Sequence, residues 1–261
     1  MIIDTHSHHD HSSYHSDLDS IFDRAFAAGV QKFIIPAADP KDIAKAQAIA
    51  LAQENVFYAV GTHPYHAEEH SDEAILPLID NPKCVAIGEC GLDYFRLPKD
   101  TAEAEAIIRL QKTVFKRQIE IANERSLPLI VHIRDASDDA LEMLINLSKT
   151  GGVLHCFNAD EQLLKLIDRG FYYGIGGVLT FANAQKLQEI VTRIPRDRIL
   201  LETDAPYLTP MPHRGKRNEP AYTAIVAAKL AEILSIPIET ICEITTQNAM
   251  RCFGRMNNYD R

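Results

Sequence analysis

The residues best suited to chemistry begin at the N-terminus, where His6 and His8 follow an apolar run. If residues 2–5 form a strand, side chains two positions apart point to the same face, so both imidazoles converge on one point. Other imidazoles and carboxylates end later apolar runs, namely Glu89, His132, His155 and Asp204. Four imidazoles and two carboxylates are sufficient ligands for two divalent cations, so the pattern predicts one metal site built by several strands.

Strand-like and helix-like patterns alternate along the whole chain. Apolar runs predict strands at 2–5, 32–38, 56–62, 84–89, 127–133, 153–157, 171–179 and 198–202. Helical patterns lie at 18–28, 40–53, 72–79, 101–125, 138–147, 161–168, 183–194, 220–234 and 238–253. Eight strand–helix units predict an α/β fold, a (β/α)8 TIM barrel with a C-terminal helix. The alternative is an open doubly wound sheet, but no Gly-x-Gly-x-x-Gly motif follows the first strand.

Composition narrows the class of protein. The chain has 261 residues, 46% of them hydrophobic, and no Pro/Gly/Ser-rich linker, so we expect a single domain over 1–261. A net charge of −9 argues against a broad basic surface for nucleic acid, although bound cations would reverse the local field for a phosphate group. Five scattered cysteines, no secretory signal and no apolar stretch long enough for a bilayer predict a cytoplasmic protein without membrane association.

The barrel hypothesis strengthens the metal-site hypothesis. A lone histidine after an apolar run is more often a hydrogen-bonded core residue than a ligand. Functional residues of TIM barrels, however, lie at the carboxyl ends of the strands, where all six candidates fall. We expect the neighbouring His9, His11 and His15 to lie on a loop and not to bind the metal.

The motifs that carry these residues make the chain similar to the TatD family of metal-dependent hydrolases, within the amidohydrolase-like barrels. The resemblance runs from end to end and rests on residues 4–8 (DTHSH), 61–64 (GTHP), 87–94 (IGECGLDY), 118–122 (QIEIA), 132–136 (HIRDA), 155–157 (HCF), 201–208 (LETDAPYL), 214–220 (RGKRNEP) and 248–253 (NAMRCF). One departure is Asn158-Ala159, where the family often has Ser-Gly.

The resemblance implies a site for two divalent cations, for which Zn, Mn, Mg, Ni or Co are candidates. His6, His8 and Asp204 would hold one ion, His132 and His155 the other, and Glu89 would bridge them. The family is associated with metal-dependent deoxyribonuclease activity, which implies hydrolysis of DNA or another phosphate-bearing substrate from a 3′ end. Asp204 and Glu89 are then the expected catalytic residues, and Asp204 would orient the attacking water and accept its proton.

Substrate-binding residues are predicted less directly. His63 ends the third predicted strand and either binds substrate or a further metal, or forms a turn before Pro64. Glu202 shares a strand face with Asp204 and either contacts the substrate or a further ion, or orients a ligand. Asp93 can shape the loop after Glu89.

Basic and aromatic residues also fall near the predicted strand ends. Arg214, Lys216 and Arg217 form a compact basic cluster in the loop after the eighth strand, where barrels often bind phosphate. We interpret them as a phosphate clamp, with an ordinary solvated loop as the alternative. Tyr65, Tyr94 and Tyr207 can stack on a base or pack the barrel rim, and Arg134 and Asp135 can support the metal ligands.

Three functions fit these features. The first is a metal-dependent deoxyribonuclease. The second keeps the metals but hydrolyses an ester, amide or lactone, as an aminoacyl-tRNA deacylase would, because two cations polarise a carbonyl as readily as a phosphoryl group. The third is a metal-bound binding protein without activity, which the complete ligand set disfavours. No obligate protein partner is evident from the sequence.

Overall fold

Eight parallel strands follow one another around a single sheet in chain order, in a computed structural model that describes residues 1–259. The strands are β1 (Ile2–Asp4), β2 (Val30–Ile35), β3 (Val56–Val60), β4 (Cys84–Asp93), β5 (Leu129–Arg134), β6 (Gly152–Leu154), β7 (Phe171–Ile175) and β8 (Ile199–Leu201). This order confirms the predicted barrel, because a doubly wound sheet would reverse its strand order at a switch point.

The barrel closes between β8 and β1 just beyond the ends of the two short strands. The Thr5 amide donates to the Leu201 carbonyl at 3.1 Å, and the Asp204 amide donates to the His6 carbonyl at 2.9 Å. Ser7 and Ala205 form a further parallel bridge. The segments that carry His6 and Asp204 therefore complete the sheet, which fixes their backbones relative to each other.

Helices cover the outside of the sheet and follow the strands along the chain. They are α1 (Leu18–Ala27), α2 (Ile43–Ala52), α3 (Asp72–Ile79), α4 (Thr101–Arg125), α5 (Ser137–Leu147), α6 (Gln185–Ile190), α7 (Thr223–Leu234) and α8 (Ile238–Cys252). The longest, α4, begins where the Asp100 carboxylate accepts the Glu103 amide at 2.9 Å, and it ends at Ser126 in the left-handed conformation. Its face of Phe115, Ile119 and Ala122 is fully buried, as helical spacing predicts.

The barrel interior is closed at its amino-terminal end. A core of inward-facing residues, including Ile3, Phe57 and Leu200, packs against Phe253 and Met256 from α8 and the 3-10 segment that follows it. Asn248 of α8 also donates to the Ile199 carbonyl at the start of β8, at 2.8 Å. The predicted C-terminal helix thus covers the amino-terminal end of the barrel, and the carboxyl-terminal end carries the polar residues.

Several predicted boundaries are wrong for local reasons. The predicted helix 161–168 is a 3-10 helix, Glu161–Arg169, and the seventh strand ends at Ile175 because Gly177–Thr180 turns into another 3-10 helix. The fourth strand continues to Asp93, with a register shift against β5 between Ile87 and Cys90. Glu89 therefore lies inside β4 instead of at its end.

Within residues 1–259, no helix combines the length and apolar character that crossing a membrane requires. All five cysteines are free thiols. The predicted single domain over 1–261 extends two positions outside the described residues and stays a prediction.

Candidate metal centre

The carboxyl-terminal face of the barrel brings the six predicted ligands into one cluster. His6, His8 and Asp204 follow β1 and β8, Glu89 and His132 lie in β4 and β5, and His155 follows β6. His6 and Glu89 are buried, and the Asp204 side chain remains 16% exposed. Asp204 is therefore the carboxylate of the cluster that reaches the cleft above it.

One group of donor atoms surrounds Oε2 of Glu89. The Nε2 atom of His6 lies 3.4 Å from this oxygen and 3.5 Å from Oδ1 of Asp204. The Nε2 atom of His8 lies 3.5 Å from the same Asp204 oxygen and 3.9 Å from Oε2 of Glu89. Two imidazoles and two carboxylates thus face a common point, which is a donor set that zinc and related cations accept.

A second group surrounds the other oxygen of Glu89. Both Nδ1 of His132 and Nε2 of His155 lie 3.0 Å from Oε1, and these two nitrogens are 3.1 Å apart. The two oxygens of one carboxylate therefore face two separate donor groups. This is the arrangement that a carboxylate bridging two cations would need.

The protonation of His6 and Glu89 fits cation binding. Burial, helped by the ring of His155 stacked 3.9 Å away, lowers the pKa of His6 to about 4, so its imidazole is neutral. Neither ring nitrogen of His6 has a hydrogen-bond partner within residues 1–259, which is costly for a buried imidazole unless a cation engages it. Burial raises the pKa of Glu89, but the imidazoles of His155 and His63 hold it well below its usual range.

Asp93 orients one of the ligands. Its Oδ2 lies 2.9 Å from Nε2 of His132, which directs Nδ1 of that ring toward Glu89. Gln111 of α4 fixes Asp93 in turn by exchanging two hydrogen bonds of 2.9 Å with its backbone. The sequence analysis missed this role, although Glu89 and Asp93 stand four residues apart, a spacing that puts both on one strand face.

Asp4 holds the two ends of the barrel closure together. Its Oδ2 accepts the Thr203 hydroxyl at 2.6 Å, and its Oδ1 accepts the Thr203 amide at 3.0 Å and the His6 amide at 3.3 Å. Asp4 therefore positions the backbone next to His6 and next to Asp204. Sequence reasoning also missed this role, because it depends on a contact across 199 residues of chain.

Glu202 lies beneath the cluster and does not line the cleft, and its predicted contact with substrate or a further ion stays a prediction. It is fully buried, its Oε1 accepts the Cys156 amide at 2.5 Å, and the same oxygen lies 3.9 Å from Nδ1 of His155. Burial raises the pKa of Glu202 to about 8. The alternative role, orientation of a ligand, fits this position.

His63 does reach the centre. Its Nε2 lies 3.5 Å from Oε1 of Glu89, its Nδ1 accepts the Tyr65 amide at 3.1 Å, and burial lowers its pKa to about 3. Gln118 of α4 holds Thr62, the residue before His63. The Thr62 amide donates to Oε1 of Gln118 at 2.7 Å, and the Thr62 carbonyl accepts from Nε2 of Gln118 at 3.0 Å. A role for His63 toward substrate or a further cation stays a prediction.

The predicted phosphate clamp is not one cluster. Arg217 donates to both carboxylate oxygens of Asp17, at 2.9 and 2.6 Å, so its charge is already compensated, which favours the alternative of an ordinary loop; its place in the clamp stays a prediction. Arg214 lies over the Phe181 ring, with Cζ 4.2 Å from the centroid, and Lys216 is exposed. Tyr94 donates to Asp139 at 2.7 Å, which favours its packing role over stacking on a base.

A cleft with two lobes opens over the centre. The larger lobe, about 560 Å³, is lined by apolar side chains such as Phe157, Val178 and Leu187, together with Arg134. The smaller lobe, about 430 Å³, is lined mainly by polar and charged residues, among them His8, His11, His63, Tyr65, Glu89 and Arg96. His132, His155, Asp204 and Tyr207 line both lobes. A substrate that crosses from one lobe to the other passes directly over the metal ligands.

A parallel eight-stranded barrel with such a donor set at its carboxyl-terminal face defines a metal-dependent hydrolase. The sequence model described as "TatD related DNase" matches residues 3–254, and the chain belongs to the TatD family. It is 40% identical over 97% of its length to an uncharacterized metal-dependent hydrolase, YabD, of Bacillus subtilis, and covers 99% of that protein.

Two further comparisons agree. The chain is 34% identical to a protein of Escherichia fergusonii named 3′-5′ ssDNA/RNA exonuclease TatD, over 93% of this chain and 95% of that one. The crystal structure of YjjV, a TatD homologue from Escherichia coli K12, superposes with a TM-score of 0.86 at 30% identity, covering 97% of this chain and 98% of that one. The predicted family and barrel are thereby confirmed.

Proposed function

We propose that this protein is a divalent-cation-dependent deoxyribonuclease that removes nucleotides from the 3′ end of a DNA strand. The observation that carries the proposal is Glu89, whose two oxygens face two separate donor groups on the floor of an open cleft. The name of the relative from Escherichia fergusonii supports the substrate and the polarity. DNA, or another phosphate-bearing molecule, is the proposed partner, and the cytoplasmic location stays a prediction.

The position of each residue in the site indicates its role in hydrolysis. Cations held by the two groups would supply Lewis acidity toward the phosphoryl oxygens and lower the pKa of water. Asp204, partly exposed at the cleft, orients the attacking water and accepts its proton. Burial raises the pKa of Asp204, but the hydrogen bond with His8 and the neighbouring imidazoles of His6 and His155 outweigh this effect. The pKa is therefore below its usual value, and the carboxylate is ionised. Glu89 is deeper and serves to hold both groups together.

The apolar lobe favours a second candidate. Phe157, Val178 and Leu187 offer a surface that an amino-acid side chain would fill better than a phosphate backbone. An aminoacyl ester on tRNA would present such a side chain next to a polarised carbonyl. Release of amino acid without loss of nucleotides would favour this candidate over the deoxyribonuclease.

The experiment begins with metal-stripped protein to which Mg, Mn or Zn is added separately. Single-stranded and double-stranded DNA labelled at either end are the substrates, and Asp204→Asn is the control. Stepwise loss of nucleotides from the 3′ end that requires both metal and Asp204 is the expected result. A folded, metal-loaded protein that leaves both DNA forms intact would contradict the proposal, and aminoacyl-tRNA would then be tested.

A further inference from the structure

Two arginines at the mouth of the cleft form no ion pair with any carboxylate of residues 1–259. Several arginines elsewhere are paired with carboxylates, for example Arg117 with Asp72 at 2.8 Å and Arg193 with Glu161 at 2.6 Å. Arg96 and Arg134 have no carboxylate oxygen of residues 1–259 within 4.0 Å. In a chain of net charge −9, two guanidiniums without such a pair beside a metal centre indicate binding of an anionic group.

Each of these guanidiniums lies on an exposed aromatic ring. Cζ of Arg134 is 3.5 Å from the centroid of Phe95, and Cζ of Arg96 is 4.8 Å from that of Tyr65. The rings remain 56% and 39% exposed, which is unusual for residues of this type. Stacking holds a guanidinium plane in place while its N–H edges stay free, and this is the geometry in which arginine binds phosphate.

We call Tyr65, Phe95, Arg96 and Arg134 the arginine–aromatic rim. All of them except Arg96 lie two positions after a residue of the metal centre. Tyr65 follows His63 and donates its amide to Nδ1 of that ring at 3.1 Å. Phe95 follows Asp93 and donates its amide to Oδ1 of that carboxylate at 2.9 Å. Arg134 follows His132 on β5. The rim is therefore tied to the metal ligands by short backbone connections.

The rim borders both lobes of the cleft. Arg134 lines the larger lobe with His155 and Asp204, whereas Arg96 and Tyr65 line the smaller lobe with Glu89. A group bound over the metal ligands therefore has a cation beside it in each lobe. Phosphates that neighbour a scissile phosphate along a strand would meet these cations, and an unpaired base would find an exposed ring.

We propose that the arginine–aromatic rim binds the nucleotides that flank the scissile phosphate, with Arg134 and Arg96 on the neighbouring phosphates and Phe95 and Tyr65 against unpaired bases. A basic groove combined with exposed aromatic rings is how proteins hold single strands, because every base has a face that can stack. A duplex end buries those faces, so the rim selects a single-stranded end. This inference rests on the proposed nuclease function.

The test compares a substrate that reaches the rim with one that does not. A single-stranded oligonucleotide presents neighbouring phosphates and bases, whereas methyl p-nitrophenyl phosphate presents a phosphodiester alone. We expect Arg134→Gln or Arg96→Gln to raise KM for the oligonucleotide about tenfold, as loss of a hydrogen bond to a charged group does. The slope of log KM against log salt should fall by about one per arginine. The rate on the small diester should fall far less than the oligonucleotide kcat/KM.

Arg196→Gln is the matched control, because it removes an exposed arginine from the other end of the barrel, just before β8. Arg134→Lys should restore KM in part, since it keeps the charge and loses the planar stack. An unchanged KM in the glutamine variants of a protein that cleaves DNA would overturn this inference alone. An equal loss on both substrates would place the arginines at the scissile phosphate and also overturn it. A wild-type protein that cleaves no oligonucleotide would overturn the nuclease function and this inference together.

Discussion

The imidazole of His132 is held between two carboxylates, with Nε2 2.9 Å from Oδ2 of Asp93 and Nδ1 3.0 Å from Oε1 of Glu89. The contact of Nε2 with Asp93 thus orients the ring, and Nδ1 faces the cluster of candidate ligands. Carboxylates that hold a metal-binding histidine in this way also raise its basicity as a ligand. Asp93 would therefore contribute to cation affinity through the ring of His132.

Replacement of Asp93 tests this orientation. We expect Asp93→Asn to weaken binding at the second donor group about 10–100-fold, because the ring of His132 loses its fixed tautomer and direction. Titration of metal-free protein with Zn by calorimetry would measure the loss. Asp139→Asn is the control, since Asp139 pairs with Lys112 at 2.9 Å and bonds Tyr94 without contacting His132. Equal affinities in the two variants would contradict the orienting role.

The clustering of the six candidate ligands was predictable from the sequence because the barrel places the ends of its strands together. His6 and His8 had to share a face, and a barrel gathers the ends of its strands at one opening. The role of Asp4 was not predictable, because it depends on a contact between distant segments of the chain. Arg217 shows the same limit, since its partner Asp17 lies 200 residues away in the chain.

Boundaries were less predictable than the order of elements. Residues 161–169 have the apolar spacing of an α-helix but form a 3-10 helix, and the difference between these forms leaves little trace in the sequence. The extension of β4 to Asp93 depends on its register with β5, which shifts between Ile87 and Cys90. A register shift of this kind is a property of two strands together.

The variants Glu89→Gln and Asp204→Asn should lose different properties, metal occupancy in the first and turnover in the second. Glu89→Gln is expected to lower the occupancy of both donor groups, because its two oxygens face both. Asp204→Asn should retain cation binding at His132 and His155 while turnover falls about 10²–10⁴-fold through loss of the proton acceptor. Metal content by atomic emission, measured beside the rate, separates the two. An Asp204→Asn protein with near-normal turnover would contradict its assigned role.

Arg217 should matter for stability and not for substrate. Arg217→Ala removes its bonds to Asp17 and to the Ser13 carbonyl, so the melting temperature should fall slightly, as for other surface pairs. KM for an oligonucleotide should not change, because this charge is already compensated. Lys216→Ala is the comparison, since that side chain is exposed on the same loop. A raised KM for the Arg217 variant would restore it to the phosphate clamp.

Cation affinity should rise with pH up to about 9. Burial lowers the pKa of His8, but the hydrogen bond with Asp204 and the charge of Asp10 outweigh this effect and raise it to about 9. Hydrogen bonds with Asp93 and Glu89 likewise raise the pKa of His132 to about 9 against burial. Both rings are therefore protonated below pH 9 in metal-free protein and must lose protons to ligate.

Calorimetric titration in buffers with different ionisation heats measures this proton release directly. We expect protons to be released on Zn binding at pH 7, and the release should approach zero above pH 9. The same raised pKa values stabilise the metal-free fold below the pKa of an unfolded histidine, about 6.5, and this contribution is lost as pH rises through 9. Cation binding at pH 7 without proton release would contradict the protonated state of both rings.

Gly174 of β7 should be required for the position of Glu202. A Cβ atom at Gly174 would lie 2.2 Å from Oε2 of Glu202, and that carboxylate is fully buried and held by the Cys156 amide. We expect Gly174→Ala to lower the free energy of unfolding by about 1–3 kcal/mol, as overpacking does, and to weaken cation binding through His155. Gly176→Ala is the matched control, because its Cβ would make an ordinary contact of 3.6 Å with Glu202. If denaturant unfolding gave the same free energy for both variants, Glu202 would not depend on the missing side chain at Gly174.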